Sequence, residues 1–126
     1  MEECFNCLTT NNLEDHHIIF RSQQPILVKS SINIIKLCSK CHRGNEGPHQ
    51  SRKTDLKYKK ALNKLLKNIL THEYSNFEEV QNVFGTNRKQ TENLLKTVPR
   101  LIVDGRMRWH TESLIRIALG GKSYID

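Results

Sequence analysis

Two short cysteine pairs, Cys4-x-x-Cys7 and Cys38-x-x-Cys41, constrain this chain more than any other feature. Each pair points two thiols at one spot, and two such knuckles can wrap one tetrahedral Zn²⁺ through four thiolates. Thirty residues separate Cys7 from Cys38, which leaves room for a β-hairpin. A staple is needed, because residues 1–55 are thinly apolar and a segment so poor in core does not hold itself together. Four thiolates leave no open coordination position, so this zinc is expected to be structural. The N-terminus, MEECFNC, lacks both a basic segment and an apolar run, so it does not read as a signal peptide. No stretch approaches membrane-spanning length. The expectation is a soluble cytoplasmic protein with no membrane partner. In a reducing compartment, paired CxxC motifs point to metal rather than disulfides.

The chain has 126 residues, enough for one domain or one small domain with an appendage. The hydrophobic period changes near residue 53. Before it, 13–20 and 32–37 read as strands, and RGNEGP (43–48) cannot be helix interior. From 54 to 74 a basic amphipathic helix is expected, with Leu62, Leu65, Leu66, Ile69 and Leu70 packed and Thr54 as N-cap. Ser75 with Glu78 suggests a capping box. A short helix (76–83) then ends near Gly85, and a second runs from Thr86 or Asn87 to about Val98. Helix, glycine-containing turn and helix over 76–98 form a helix-turn-helix pattern, whose second helix opens with Arg88 and Lys89. An Asp-Gly turn within 100–110 signals a hairpin carrying Arg106 and Arg108, and a capped helix covers 112–119. A hairpin directly after a helix-turn-helix suggests a wing; pattern alone fits a helical appendage with an incidental hairpin nearly as well. The fold class is α+β, divided into 1–53 and a mostly helical 54–126.

Charge is unevenly placed. Residues 1–50 are neutral, 51–74 carry +5 and 75–126 carry +2 of the total +7. A pI near 9.4 favours an anionic partner, with nucleic acid first, although a solvated surface would look the same.

Four histidines, His16, His17, His42 and His49, lie in the cysteine-rich segment and are surplus to a four-thiolate site. In EDHHIIFRS and INIIKLCSKCHRG, His16-His17 is followed by Ile18-Ile19 and Arg21-Ser22. Asn33 lies five residues before Cys38, and His42 follows Cys41 directly. This ordered set resembles the HNH nucleases, the ββα-metal or His-Me finger group, over about residues 4–50. The resemblance implies a small zinc-stapled ββα-metal module with a second, catalytic ion. It implies His17 as general base, Asn33 as its hydrogen-bonded tether, and His16 and His42 as ligands of the catalytic ion. RGNEGPH departs from the common continuation after Cys-His and leaves His49 as a third ligand without a settled place. Successive strand residues face opposite sides, so His16 and His17 can share a site only at a strand end or distortion, and their roles are exchangeable.

The chemistry suits these residue types. A histidine near its natural pKa can take a proton from water, and a divalent ion can offset phosphate charge. Mg²⁺, Mn²⁺, Ni²⁺ and Zn²⁺ are all compatible with the donor set. Arg21 and Arg43 are candidates to hold phosphate. Lys57, Lys59, Lys60, Lys64, Arg88, Lys89, Arg106 and Arg108 are candidates to contact DNA. The resulting expectation is a metal-dependent DNA endonuclease of phage-borne or homing type, working in a host cytoplasm if phage-encoded; some HNH enzymes pair as homodimers to cut both strands. The alternative is a non-catalytic, zinc-containing winged-helix regulator. An RNA-binding zinc protein has little support, since aromatics make up only 6% of the chain.

Overall fold

The computed structural model describes residues 2–124. Residues 1, 125 and 126, at the outer ends of the two expected regions, lie outside the described residues. The architecture is α+β. Strands β1 (Leu13–His17) and β2 (Ile34–Cys38) pair antiparallel, with His16 opposite Ile35 and His17 opposite Ile34. The connection between them holds two 3₁₀ turns, Pro25–Leu27 and Ser31–Asn33. A five-residue helix, α1 (Ser39–Arg43), follows β2 at once. Its N-cap is Cys38, whose sulfur accepts from the Cys41 amide at 3.4 Å. The second knuckle therefore doubles as a helix cap, which sends His42 off the same turn.

Helix α2 (Arg52–Ile69) is shorter than the expected 54–74 and starts earlier. Its N-cap is Ser51, whose hydroxyl accepts from the Thr54 amide; Thr54 sits inside the first turn and donates to the Glu46 carbonyl instead. Tyr58, Leu62 and Leu66 line its buried face, together with Lys59 and Asn63. Leu65 and Ile69, expected in the core, are 45% and 46% exposed. Two unforeseen polar residues occupy the buried arc, and this turns Leu65 and Ile69 outward.

Tyr74 belongs to a strand, not to the end of α2. Strand β3 (Tyr74–Ser75) pairs with β5 (Arg106–His110), which pairs with β4 (Arg100–Val103), so the sheet order is β3-β5-β4. The hairpin turn is the one Asp-Gly demands, with φ of 52° at Asp104 and 75° at Gly105. Helices α3 (Phe77–Phe84) and α4 (Arg88–Leu95) lie between β3 and β4 in sequence. The capping box is Asn76 with Glu79, not Ser75 with Glu78; Ser75 is buried and bonded to the Thr111 hydroxyl. Gly85 ends α3 at φ 59°, and Asn87 with Gln90 caps α4, which stops at Leu95 short of Val98. Helix α5 (Thr111–Ala118) closes the fold, without a side-chain cap at its N-terminus.

One buried apolar cluster draws on both regions. It includes Cys4, Ile19, Leu27 and Leu37 from the first, and Leu62, Leu66, Phe84, Leu94 and Leu114 from the second. Among the described residues, no helix is long and apolar enough to cross a membrane.

Candidate metal centres

Among the described residues, two clusters of side chains could hold a metal ion, and α1 carries Cys41 of one and His42 of the other. In the first, the sulfurs of Cys4, Cys7, Cys38 and Cys41 all lie within 4.8 Å of one another. Cys7 Sγ and Cys38 Sγ are 3.7 Å apart. Ligand atoms at the corners of a zinc tetrahedron with bonds of about 2.3 Å are about 3.8 Å apart, so the spacing fits. The thiols are in electrostatic conflict. Burial acts to raise the pKa of Cys4, but the backbone amides of Cys7, Cys38 and Asn6 outweigh it and hold the thiol at about 6. The Asn6 amide acts to lower Cys41, yet burial and its three cysteine neighbours push it up to about 12. Four groups so close cannot all be thiolates without a cation between them. A divalent ion removes the conflict, and an all-sulfur donor set suits zinc.

The second cluster is His16, His42 and His49, whose ring nitrogens also lie within 4.8 Å of one another. The ring centroids form a nearly equilateral triangle, with sides of 5.2, 5.1 and 5.0 Å. His42 Nε2 and His49 Nε2 are 3.2 Å apart. Two nitrogens on one tetrahedral zinc, each bonded at about 2.0 Å, are about 3.3 Å apart. His16, next to last in β1, is 1% exposed, and neither of its ring nitrogens has a hydrogen-bond partner. Burial, then the neighbouring His42 and His49, depress its pKa to about 3. A buried neutral imidazole with a bare lone pair is costly unless something takes that pair, and a metal ion would do so.

His42 is oriented by a residue that sequence reading passed over. Its Nδ1 donates to Glu14 Oε1 at 2.8 Å, which leaves Nε2 as the atom facing the cluster. Carboxylate–histidine pairs of this kind fix ring orientation in metal sites. Arg43 also pairs with Glu14, Nη2 to Oε2 at 2.7 Å, so its exposed guanidinium braces that carboxylate.

His49 reaches the cluster because RGNEGPH folds back on α1. Gly44 and Gly47 close the reversal through amide bonds to Lys40 O and Gly44 O, both at 2.9 Å. Gly47 lies so close to the helix that a Cβ there would meet His42 O at 2.4 Å and Cys41 O at 2.9 Å. The folded-back RGNEGPH segment thus delivers a third histidine to the cluster. Phe20 stacks against the His49 ring with centroids 5.5 Å apart and a 25° interplanar angle.

His16, His17, His42 and His49 line one open pocket of about 310 Å³, with Asp15, Phe20 and Arg21. His17 is the last residue of β1, and this strand end lets two successive histidines reach one pocket. The expected tether is corrected. Asn33 is fully buried and does not bond His17. Its Oδ1 accepts from Ile19 N at 2.7 Å, and its Nδ2 donates to Ile19 O at 3.0 Å and Leu27 O at 3.3 Å. Asn33 satisfies itself on the backbone of the connection it spans, and His17 Nε2 instead donates to Val28 O at 2.9 Å. A carbonyl only accepts, so Nε2 carries a proton, and the tautomer with this bond has its lone pair on Nδ1.

The remaining charged candidates are scattered. Lys59 is buried; it pairs with Asp55 at 2.8 Å and lies over the Phe20 ring at 4.1 Å, so it is structural and not a DNA contact. Lys57, Lys60 and Lys64 lie with Lys53 along a groove on the outward side of α2. Arg88 is exposed and pairs with Glu92, and Lys89 is exposed beside it. Arg106 and Arg108 line a small pocket with Asn76, Phe77 and Glu78, and Arg108 Nε is buried there without a partner. Comparison with protein-family models, curated proteins and solved structures finds no match.

Proposed function

We propose that the chain is a metal-dependent endonuclease of HNH type that hydrolyses DNA phosphodiester bonds. The observation that carries this reading is the pocket itself: His16, His42 and His49 hold their ring nitrogens within 4.8 Å of one another, and His17 lines the same space with Nε2 tied to the Val28 carbonyl. Cys4, Cys7, Cys38 and Cys41 hold a structural zinc. His16, His42 and His49 hold the catalytic ion, which supplies charge neutralisation at the scissile phosphate and the leaving 3′ oxygen when bound. His17 Nδ1 takes the proton of the attacking water, and the Val28 carbonyl keeps the imidazole in the tautomer that can do so. Arg21, exposed at the pocket, would receive a phosphate oxygen. Three neutral imidazoles favour a borderline ion such as Zn²⁺ or Ni²⁺ over Mg²⁺, which prefers oxygen ligands.

The C-terminal region supports a grip on the duplex. Strand β3, helices α3 and α4, then the β4–β5 hairpin, with sheet order β3-β5-β4, fit a winged helix-turn-helix. Arg88 and Lys89 open the helix that would read the major groove, and Arg106 and Arg108 sit on the wing. This arrangement also favours a second reading, a zinc-stapled winged-helix regulator that binds without cutting.

Supercoiled plasmid incubated with Zn²⁺, Ni²⁺, Mn²⁺, Mg²⁺ or EDTA separates the two. Metal-dependent nicking that His17→Ala abolishes, with fold and bound zinc retained, supports the enzyme. A gel shift without nicking supports the regulator. Wild-type nicking by His17→Ala rules out the assigned base.

A further inference from the structure

We propose that Gln24 is a positioning residue that ties the orientation of the His17 ring to the seating of helix α5; this rests on the nuclease reading above. His17 depends on one bond, from Nε2 to the Val28 carbonyl. Val28 belongs to the connection between β1 and β2, so whatever fixes that connection fixes the tautomer of the base. Near the metal pocket it is fixed by Asn33, which holds Leu27 O, and by Leu27, which is fully buried.

The other anchor comes from far along the chain. Gln24 Oε1 accepts from Ile26 N at 3.4 Å and caps the Pro25–Leu27 turn. Gln24 Nε2 donates to Ile117 O at 2.9 Å, in the last turn of α5. One 3₁₀ turn separates Gln24 from Val28, whose amide donates to Pro25 O at 3.3 Å. Gly120 lies against the same place: its φ is 82°, and a Cβ there would meet Gln23 Cβ at 3.0 Å and Gln23 O at 3.2 Å. The end of α5 therefore presses on residues 23 and 24, and a single tight turn carries their position to the carbonyl that His17 uses. If that carbonyl withdraws, the proton on Nε2 is no longer held, and the Nδ1–H tautomer, which cannot act as base at Nδ1, becomes populated. The region expected to grip DNA thereby sets the competence of the base.

Gln24→Glu isolates this link in the full chain. The carboxylate keeps an acceptor for Ile26 N but has no donor for Ile117 O, and it places negative charge against that carbonyl. Gly120→Ala perturbs the same contact from the α5 side and decides the matter if the first variant fails to fold. Neither side chain lines the pocket; Gln24 reaches it only through its backbone amide, which donates to Phe20 O at 3.1 Å and is kept in both variants. The expected result is a fall in kcat for plasmid nicking of about tenfold, the size of one lost hydrogen bond, with KM and bound metal unchanged. The His17 ring Nε2–H resonance, protected in wild type by the bond to Val28 O, should weaken or vanish in the same variants. If that resonance stays as in wild type, the proposal fails, even where kcat falls. An altered resonance with wild-type kcat also overturns it. If the wild-type chain does not nick at all, the nuclease reading falls, and the resonance alone still decides whether α5 positions His17 through Gln24.

Discussion

Acidification should destabilise the protein through His16 when the histidine cluster is free of metal. His16 is 1% exposed, and its folded pKa lies at about 3. In the unfolded chain an imidazole takes up its proton near pH 6.5. The unfolded state therefore binds more protons over the window from about 6.5 to about 3, so stability falls as pH falls through it. Over the full window the loss approaches about 5 kcal/mol, at 1.36 kcal/mol per pH unit. Between pH 7 and pH 5 it amounts to about 2 kcal/mol. Urea unfolding at pH 7, 6 and 5, after labile metal is removed with a mild chelator, measures it. His16→Leu removes the titrating group and both unpartnered nitrogens, so wild-type stability should fall relative to the variant's by a growing margin as pH drops. Parallel curves would refute a buried, proton-excluding His16. Saturating Zn²⁺ should raise wild-type stability at pH 7 and steepen its pH dependence, because every ligand must be unprotonated to bind.

Three further outcomes follow from the same geometry. Cys41→Ser should lose the cysteine-bound metal and with it the cooperative thermal transition, read by metal analysis and circular dichroism; removing a native structural metal from so small a fold leaves too little core. Lys59→Met should cost about 3 kcal/mol in urea unfolding, because it strands Asp55, one of whose carboxylate oxygens already lacks a partner. Gly47→Ala should weaken metal binding at the histidine cluster by about tenfold or more in a Zn²⁺ titration, with the cysteine site still filled. The reason is that a Cβ 2.4 Å from His42 O must push away the loop that carries His49.

Much of the site was legible from sequence, because its donors come in short-range pairs. Cys-x-x-Cys spacing brings two sulfurs together wherever the backbone turns between them, and Cys41-His42 adjacency makes the two clusters share α1. The Asp-Gly turn and Gly85 were legible for a similar local reason, since both need a positive φ. Helix ends were read less well. Ser51 and Asn76 cap where Thr54 and Ser75 were expected, because several hydroxyl and amide residues lie within one turn and only the folded backbone selects among them.

What the tertiary structure alone decided are the long-range partners. Glu14 orients His42 across 28 positions, Val28 rather than Asn33 holds His17, and Gln24 meets Ile117 across 93. Lys59, one of several lysines on a basic helix, proved to be buried against Asp55 and Phe20. Periodicity records which face of an element turns inward, but not which groups it meets there. A polar residue becomes core or surface according to whether a distant chain segment supplies its missing hydrogen bond or charge, and sequence spacing carries no trace of that. Residue types and local spacing thus determined which atoms can bind metal and take a proton. The fold of the β1–β2 connection decided which carbonyl the His17 ring meets.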